Sequence, residues 1–118
     1  MSRSRGAAAL KVNEAVPVFA ALADPTRLRL IGRLAADGPL SITRLTESEP
    51  VTRQAITRHL ETLGQAGLVR NARYGRERVF ELDLKRLEKA RQYLDVISAQ
   101  WDDAAMRLKA FVEEGLTR

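Results

Sequence analysis

The sequence predicts a mainly α-helical domain with one small β-hairpin and a long C-terminal helix. Three observations predict it. Short amphipathic segments between Asn13 and Ala66 are each opened by a capping residue or closed by Gly or Pro. Two alternating segments then flank Tyr74-Gly75. Finally, Leu84 to Glu114 contains neither proline nor glycine.

The 118 residues suit one domain with an appended helix. Hydrophobic residues make up 45% and charged residues 30%, a soluble globular composition with little spare stability at this size. No apolar run approaches the ~20 residues of a membrane span. The start, "MSRSRGAAAL", has arginines but no sustained apolar stretch, so no signal peptide is expected. Cysteine is absent, which excludes disulfides, thiolate metal ligands and cysteine nucleophiles. That fits a reducing cytosol.

Residues 1–12 read as a disordered tail in which Arg3 and Arg5 could brush a phosphate backbone. Asn13 to Ala23 reads as a helix with Pro17 in its first turn and Val18, Phe19 and Leu22 on its buried stripe. The next segment, "ADPTRLRLIGRLAADGP", has Asp24 as N-cap, Pro25 at the first helical position and Gly38-Pro39 as its stop. Leu28, Ile31 and Leu34/Ala35 give it a buried face. Ser41 caps a short helix, "ITRLTES", with Ile42 and Leu45 inward, and Glu49-Pro50 breaks it. Thr52 caps a fourth helix that runs to about Ala66 and is stopped by Gly67.

"LVRNAR" and "RERVFELD" then form a hairpin around Tyr74-Gly75, with Arg78, Phe80 and Leu82 sharing one face. The last helix spans Leu84 to Glu114, about 46 Å at ~1.5 Å per residue, with Gly115 as its stop. Leu87, Leu94, Trp101 and Leu108 recur every seven residues, and Ala90, Ile97, Ala104 and Phe111 follow three behind. This heptad seam is the pattern of helix-on-helix pairing. A helix of that length outreaches so small a domain, so part of the seam needs a partner.

Charge is local. The net charge is +5, and residues 51–78 hold six arginines against Glu61 and Glu77. A polyanion selects such a patch. At about 100° per residue, Ile56, Leu60 and Leu63 define the inner face of the fourth helix. Gln54, Thr57 and Arg58 share its outer face, and His59 falls on the shoulder. Arginine can pair bidentately with guanine and glutamine with adenine, while Thr57 can touch a thymine methyl. Arg53 at the helix start can reach a phosphate. With the preceding helix this makes a helix-turn-helix whose second helix enters the major groove. The hairpin arginines Arg70, Arg73, Arg76 and Arg78 make a basic wing suited to backbone or minor groove. The predicted fold is thus a winged helix-turn-helix over residues 13–83 with a dimerisation helix over 84–118.

Three segments, "ALADPTRLRLIGRL", "TRQAITRHLETLGQAGLV" and "RYGRERVFELD", occur in the order and spacing of a known family. Over residues 14–83 the chain resembles the arsenical-resistance-repressor-like (ArsR) family of bacterial winged-helix regulators. The long last helix with Trp101 resembles the dimerisation helix of one non-metal branch. The resemblance implies a homodimeric DNA-binding repressor, often controlling its own operon, at work in the cytoplasm on the nucleoid. Gln54, Thr57 and Arg58 would contact bases, while Thr52, Arg53 and the four wing arginines would hold the backbone. The first helix, through Phe19, and the seam residues Leu87, Ala90, Leu94, Ile97, Trp101, Leu108 and Phe111 would build the dimer.

The departures from the family pattern concern metals. Metal-sensing members carry Cys-x-Cys in the third helix, where this chain has "ITRLTES". Others use histidine and acid pairs on the last helix, which here has no histidine to join Asp95, Asp102 and Asp103. No metal, cofactor or membrane partner is expected. Double-stranded DNA and a second copy are, and no motif identifies a small-molecule or protein effector.

Two rival readings make different predictions. An enzyme centred on His59 needs a positioned partner and a pocket, but Glu61 and Thr62 point away from it on the helix wheel, and no enzyme is expected. His59 is expected to pack between helices. An interaction module would use the seam to pair with a different coiled coil and would sediment alone as a monomer.

Overall fold

A computed structural model of the chain describes residues 10–116. Arg3, Arg5 and most of the expected tail lie outside the described residues. Leu10 is described, and it is buried in the core.

The order is α1 (Val12–Leu22), α2 (Pro25–Asp37), β1 (Leu40–Ser41), α3 (Ile42–Glu47), α4 (Arg53–Gln65), β2 (Val69–Tyr74), β3 (Glu77–Leu82) and α5 (Leu84–Leu116). The mainly helical fold with a small wing is therefore as expected. Leu30, Leu45, Ile56, Leu60, Leu63 and Leu68 form its fully buried centre, where the helices meet the sheet.

Helix α1 begins earlier than the sequence suggested, and Pro17 lies inside it rather than in its first turn. The lost N–H would have bonded the carbonyl of Asn13. Both residues are exposed, so water can satisfy that carbonyl. The buried row is Ala15, Val18 and Ala21, while Phe19 and Leu22 are only half-buried.

In α2 the Asp24 carboxylate accepts from the Arg27 N–H at 3.0 Å, as an N-cap should. The inner row is Thr26, Leu30 and Leu34, not the row through Leu28, which is 53% exposed. Ala35 is exposed as well. Thr26 can occupy a core position because its hydroxyl accepts from Arg29 Nη2 at 3.1 Å. Hydrophobic periodicity cannot register a polar residue that is satisfied in this way.

The sheet has three antiparallel strands in the order β1-β3-β2. The sequence suggested only the hairpin. The additional strand is two residues long, pairing Leu40 with Phe80 and Ser41 with Val79. Tyr74 still pairs with Glu77, so the tight loop is Gly75-Arg76, one residue later than read. Gly75 has φ 64°, the positive value that a two-residue hairpin loop requires at its first position.

Helix α5 is described to Leu116, one residue past Gly115, and has 33 residues, about 50 Å in length. Positive φ is found at Gly38, Gly67 and Gly75, not at Gly115. A glycine inside a helix costs only ~1 kcal/mol relative to alanine, too little to fix a helix end by itself.

Candidate nucleic-acid interface

Both helices of the helix-turn-helix start on hydroxyl caps. Ser41 Oγ accepts from the Arg44 N–H at 3.2 Å, and Thr52 Oγ1 from the Ala55 N–H at 3.1 Å. The turn between them is held from behind by α2. Arg29 Nε donates to Glu49 Oε1 at 3.0 Å, and the Glu49 side chain is only 3% exposed. Arg33 donates to the Arg44 carbonyl at 3.1 Å and also to the Ser48 hydroxyl. These two guanidinium groups are spent on the turn, so the basic excess facing outward is smaller than a residue count implies.

Helix α4 divides as its periodicity predicts. Ile56, Leu60 and Leu63 are at most 2% exposed. Gln54 and Arg58 are exposed and their side chains make no hydrogen bond among the described residues, so their side-chain donors are free for a ligand. Thr57 is half-buried and donates its hydroxyl to the Arg53 carbonyl at 3.0 Å, which leaves its methyl and the oxygen lone pairs for contact. Arg53 lies exposed at the helix start, 3.4 Å from Thr43 Oγ1.

His59 is part of the helix packing. Its side chain is 23% exposed, and Arg27 Nη1 donates to its Nδ1 at 3.0 Å. This is the helix–helix shoulder read from the wheel.

On the wing, Arg73 and Arg78 are cross-strand partners, and Arg76 sits in the loop beyond them. All three are exposed, and their side chains make no hydrogen bond among the described residues. Like charges placed opposite each other destabilise a hairpin. Arg70 differs from them. Its Nε donates to Glu81 at 2.9 Å, and Asp83 lies 4.0 Å away. The hydrogen bond to Glu81, then its Coulomb attraction, raises the guanidinium pKa further above its ordinary value. Arg70 is thus neutralised at the root of the wing, apart from the other three.

An open groove separates α4 from the wing, lined by Thr57 and Glu61 on one side and Asn71 and Arg78 on the other. Sequence reasoning missed Asn71, although it is two residues before Arg73 and so on the same face of the strand. It also missed Thr43, which lies in the first turn of α3, two residues after the Ser41 cap, next to Arg53.

The heptad seam splits in two. Ala90 is buried in the core and Leu87 is half-buried. Phe19 packs on Tyr93 with ring centroids 5.9 Å apart, joining α1 to α5. Beyond that point Leu94, Ile97, Trp101, Leu108 and Phe111 are exposed, Trp101 by 72%. No cluster of three potential metal ligands occurs among the described residues, and no described helix is long and apolar enough to cross a membrane.

Comparison with known proteins places this geometry in context. Residues 22–71 match a helix-turn-helix domain family. The chain is 43% identical over 75 residues to the HTH-type transcriptional regulator Rv2034 of Mycobacterium tuberculosis, covering 64% of this chain and 69% of that protein. An ArsR-like transcriptional regulator from Rhodococcus sp. RHA1 superposes with a TM-score of 0.72 at 35% identity, covering 84% of this chain and 92% of the other. The homodimeric winged helix-turn-helix DNA-binding domain Mb0332 from Mycobacterium bovis shares the fold. Its TM-score is 0.59 at 19% identity, over 80% of this chain and 83% of that one.

Proposed function

Because the chain belongs to the ArsR family of helix-turn-helix transcriptional regulators, we propose that this DNA-binding regulator is a homodimeric repressor of an inverted-repeat operator. The observation that carries this reading is the pairing of unengaged Gln54 and Arg58 on α4 with unengaged Arg73, Arg76 and Arg78 on the wing. Donors without internal partners, on two elements flanking one groove, suit base edges and the adjoining backbone.

In this reading residues 13–83 bind DNA and residues 84–118 dimerise. Gln54, Thr57 and Arg58 meet bases, while Thr52, Arg53, Arg73, Arg76 and Arg78 hold phosphates. Arg70 braces the wing root and contributes less. The bare half of α5, from Leu94 to Phe111, takes the same face of a second copy. The homodimeric state of the Mycobacterium bovis neighbour supports self-association. Repression follows by occluding a promoter in the cytoplasm, and it needs no cofactor or metal.

Selection from random duplexes tests the reading. The purified chain should enrich an inverted repeat, bind it in the nanomolar range and lose affinity steeply with salt. It should also sediment as a dimer. Equal retention of every duplex would overturn sequence specificity. A monomer that pairs only with a different coiled coil would overturn the homodimer.

A further inference from the structure

The contact between α2 and the recognition helix goes beyond packing. Arg27 links three helices: it lies in α2, and its side chain bonds both α1 and α4. Its N–H caps on Asp24 at the start of α2. Its Nε donates to the Ala21 carbonyl of α1 at 2.6 Å. Its Nη1 donates to His59 Nδ1 of α4 at 3.0 Å. Both Arg27 and His59 are half-buried, so these bonds are shielded from full competition by water. His59 directly follows Arg58 in the chain, so any roll of α4 that moves one moves the other. Binding groups need to be held within about 0.5 Å and ~10–20° to read a site.

We propose that Arg27 and His59 form a positioning pair that fixes the roll of α4 for base readout, and that only neutral His59 can serve in it. Arg27 has donors and no acceptor, so its partner nitrogen must offer a lone pair. Protonating Nδ1 removes that lone pair and sets a second cation against the guanidinium. The charged groups facing His59 from α2 are Arg27 and Asp24, whose Oδ2 lies 3.9 Å away. The Asp24 carboxylate stays ionised throughout the histidine range, because its pKa is lowered. An imidazolium is therefore drawn towards Asp24 and away from Arg27, and α4 loses its hydrogen bond to the Arg27 side chain that α1 holds in place. Sequence discrimination falls on acidification, while general attraction to DNA does not.

The role rests on the sequence-specific reading above. The test uses the full chain with two probes, the duplex recovered from random-DNA selection and a scrambled duplex of equal length. The ratio of the two affinities is measured at constant salt between about pH 5 and pH 8, across the histidine range. For the natural sequence the ratio should fall about tenfold towards acid, the scale of losing one hydrogen bond to a charged group. In His59→Gln the amide oxygen accepts at every pH, so the ratio should stay high and flat. His59→Leu should lose the ratio at both ends while keeping its affinity for the scrambled duplex. Matching pH profiles for the natural sequence and His59→Gln would overturn the pair, and that comparison stands even if His59→Leu fails to fold. So would an undiminished ratio in a folded His59→Leu. Failure to recover any preferred duplex would instead overturn the sequence-specific reading, and the positioning role with it.

Discussion

Arg73 and Arg78 face each other across the wing in register, two cations with no acid interposed. A hairpin selected only for stability would place an opposite charge at one of these positions, as it does three rungs nearer the root with Arg70 and Glu81. The unfavourable pair makes sense once a polyanion lies against it. Replacing Arg78 with threonine should therefore stabilise the free protein by about 0.2–1 kcal/mol. The same change should weaken binding to every duplex and reduce the salt slope by about one. Thermal melts and a salt titration read the two effects separately.

Arg58 and Arg76 should behave differently from each other. Arg58→Ala should cost about 1–3 kcal/mol on the selected duplex and relax preference at one base step. Arg76→Ala should lower affinity for selected and scrambled duplexes alike. A repeat selection with each variant separates base reading from backbone holding.

Glu49 is nearly inaccessible and depends on Arg29. Arg29→Ala leaves that carboxylate without its partner and should cost about 1–3 kcal/mol in folding stability. Adding Glu49→Gln to Arg29→Ala should recover part of the loss, because a neutral amide is cheaper to leave there. Urea unfolding of the single and double variants measures the coupling.

The pKa of Asp24 is lowered, first by the Arg27 backbone N–H and then by the charges of Arg27 and His59, against partial desolvation. A depressed folded value means the ionised form stabilises the fold. That contribution is complete above the unfolded carboxylate value and disappears as pH falls through the folded one. Asp24→Asn keeps a capping side chain but no charge. Its melting temperature should therefore depend less on pH than that of the natural sequence in the acid range, and the two should converge once Asp24 is protonated.

A charge in the bare half of the seam should separate the subunits. Leu108 is 64% exposed in the single chain, so Leu108→Glu should leave the fold intact. It should convert the sedimenting species to a monomer and remove preference for paired half-sites over a single one.

Local chemistry made much of this molecule legible in the sequence. Caps such as Asp24, Ser41 and Thr52 act on N–H groups three residues away, so they could be identified without knowing the fold. The inner face of α4 followed from Ile56, Leu60 and Leu63 alone. What escaped depends on contacts distant in sequence. Strand β1 exists only because Leu40 meets Phe80. Thr26 displaced the row through Leu28 because Arg29 satisfies its hydroxyl. Arg33 turned inward because α3 presents open carbonyls to it. In the candidate interface, the free state of Arg58 and the engaged state of Arg70 could not be told apart by residue type.

Trp101 is the sole tryptophan of the chain and lies largely open on the seam. Its emission therefore comes from a single place on the long helix. In a lone subunit the indole is bathed in solvent and should emit at long wavelength. Covered by a second copy, it should shift to the blue and resist quenching by iodide. The protein thus carries a label-free optical gauge of its own assembly, usable at nanomolar dilution and in the presence of DNA.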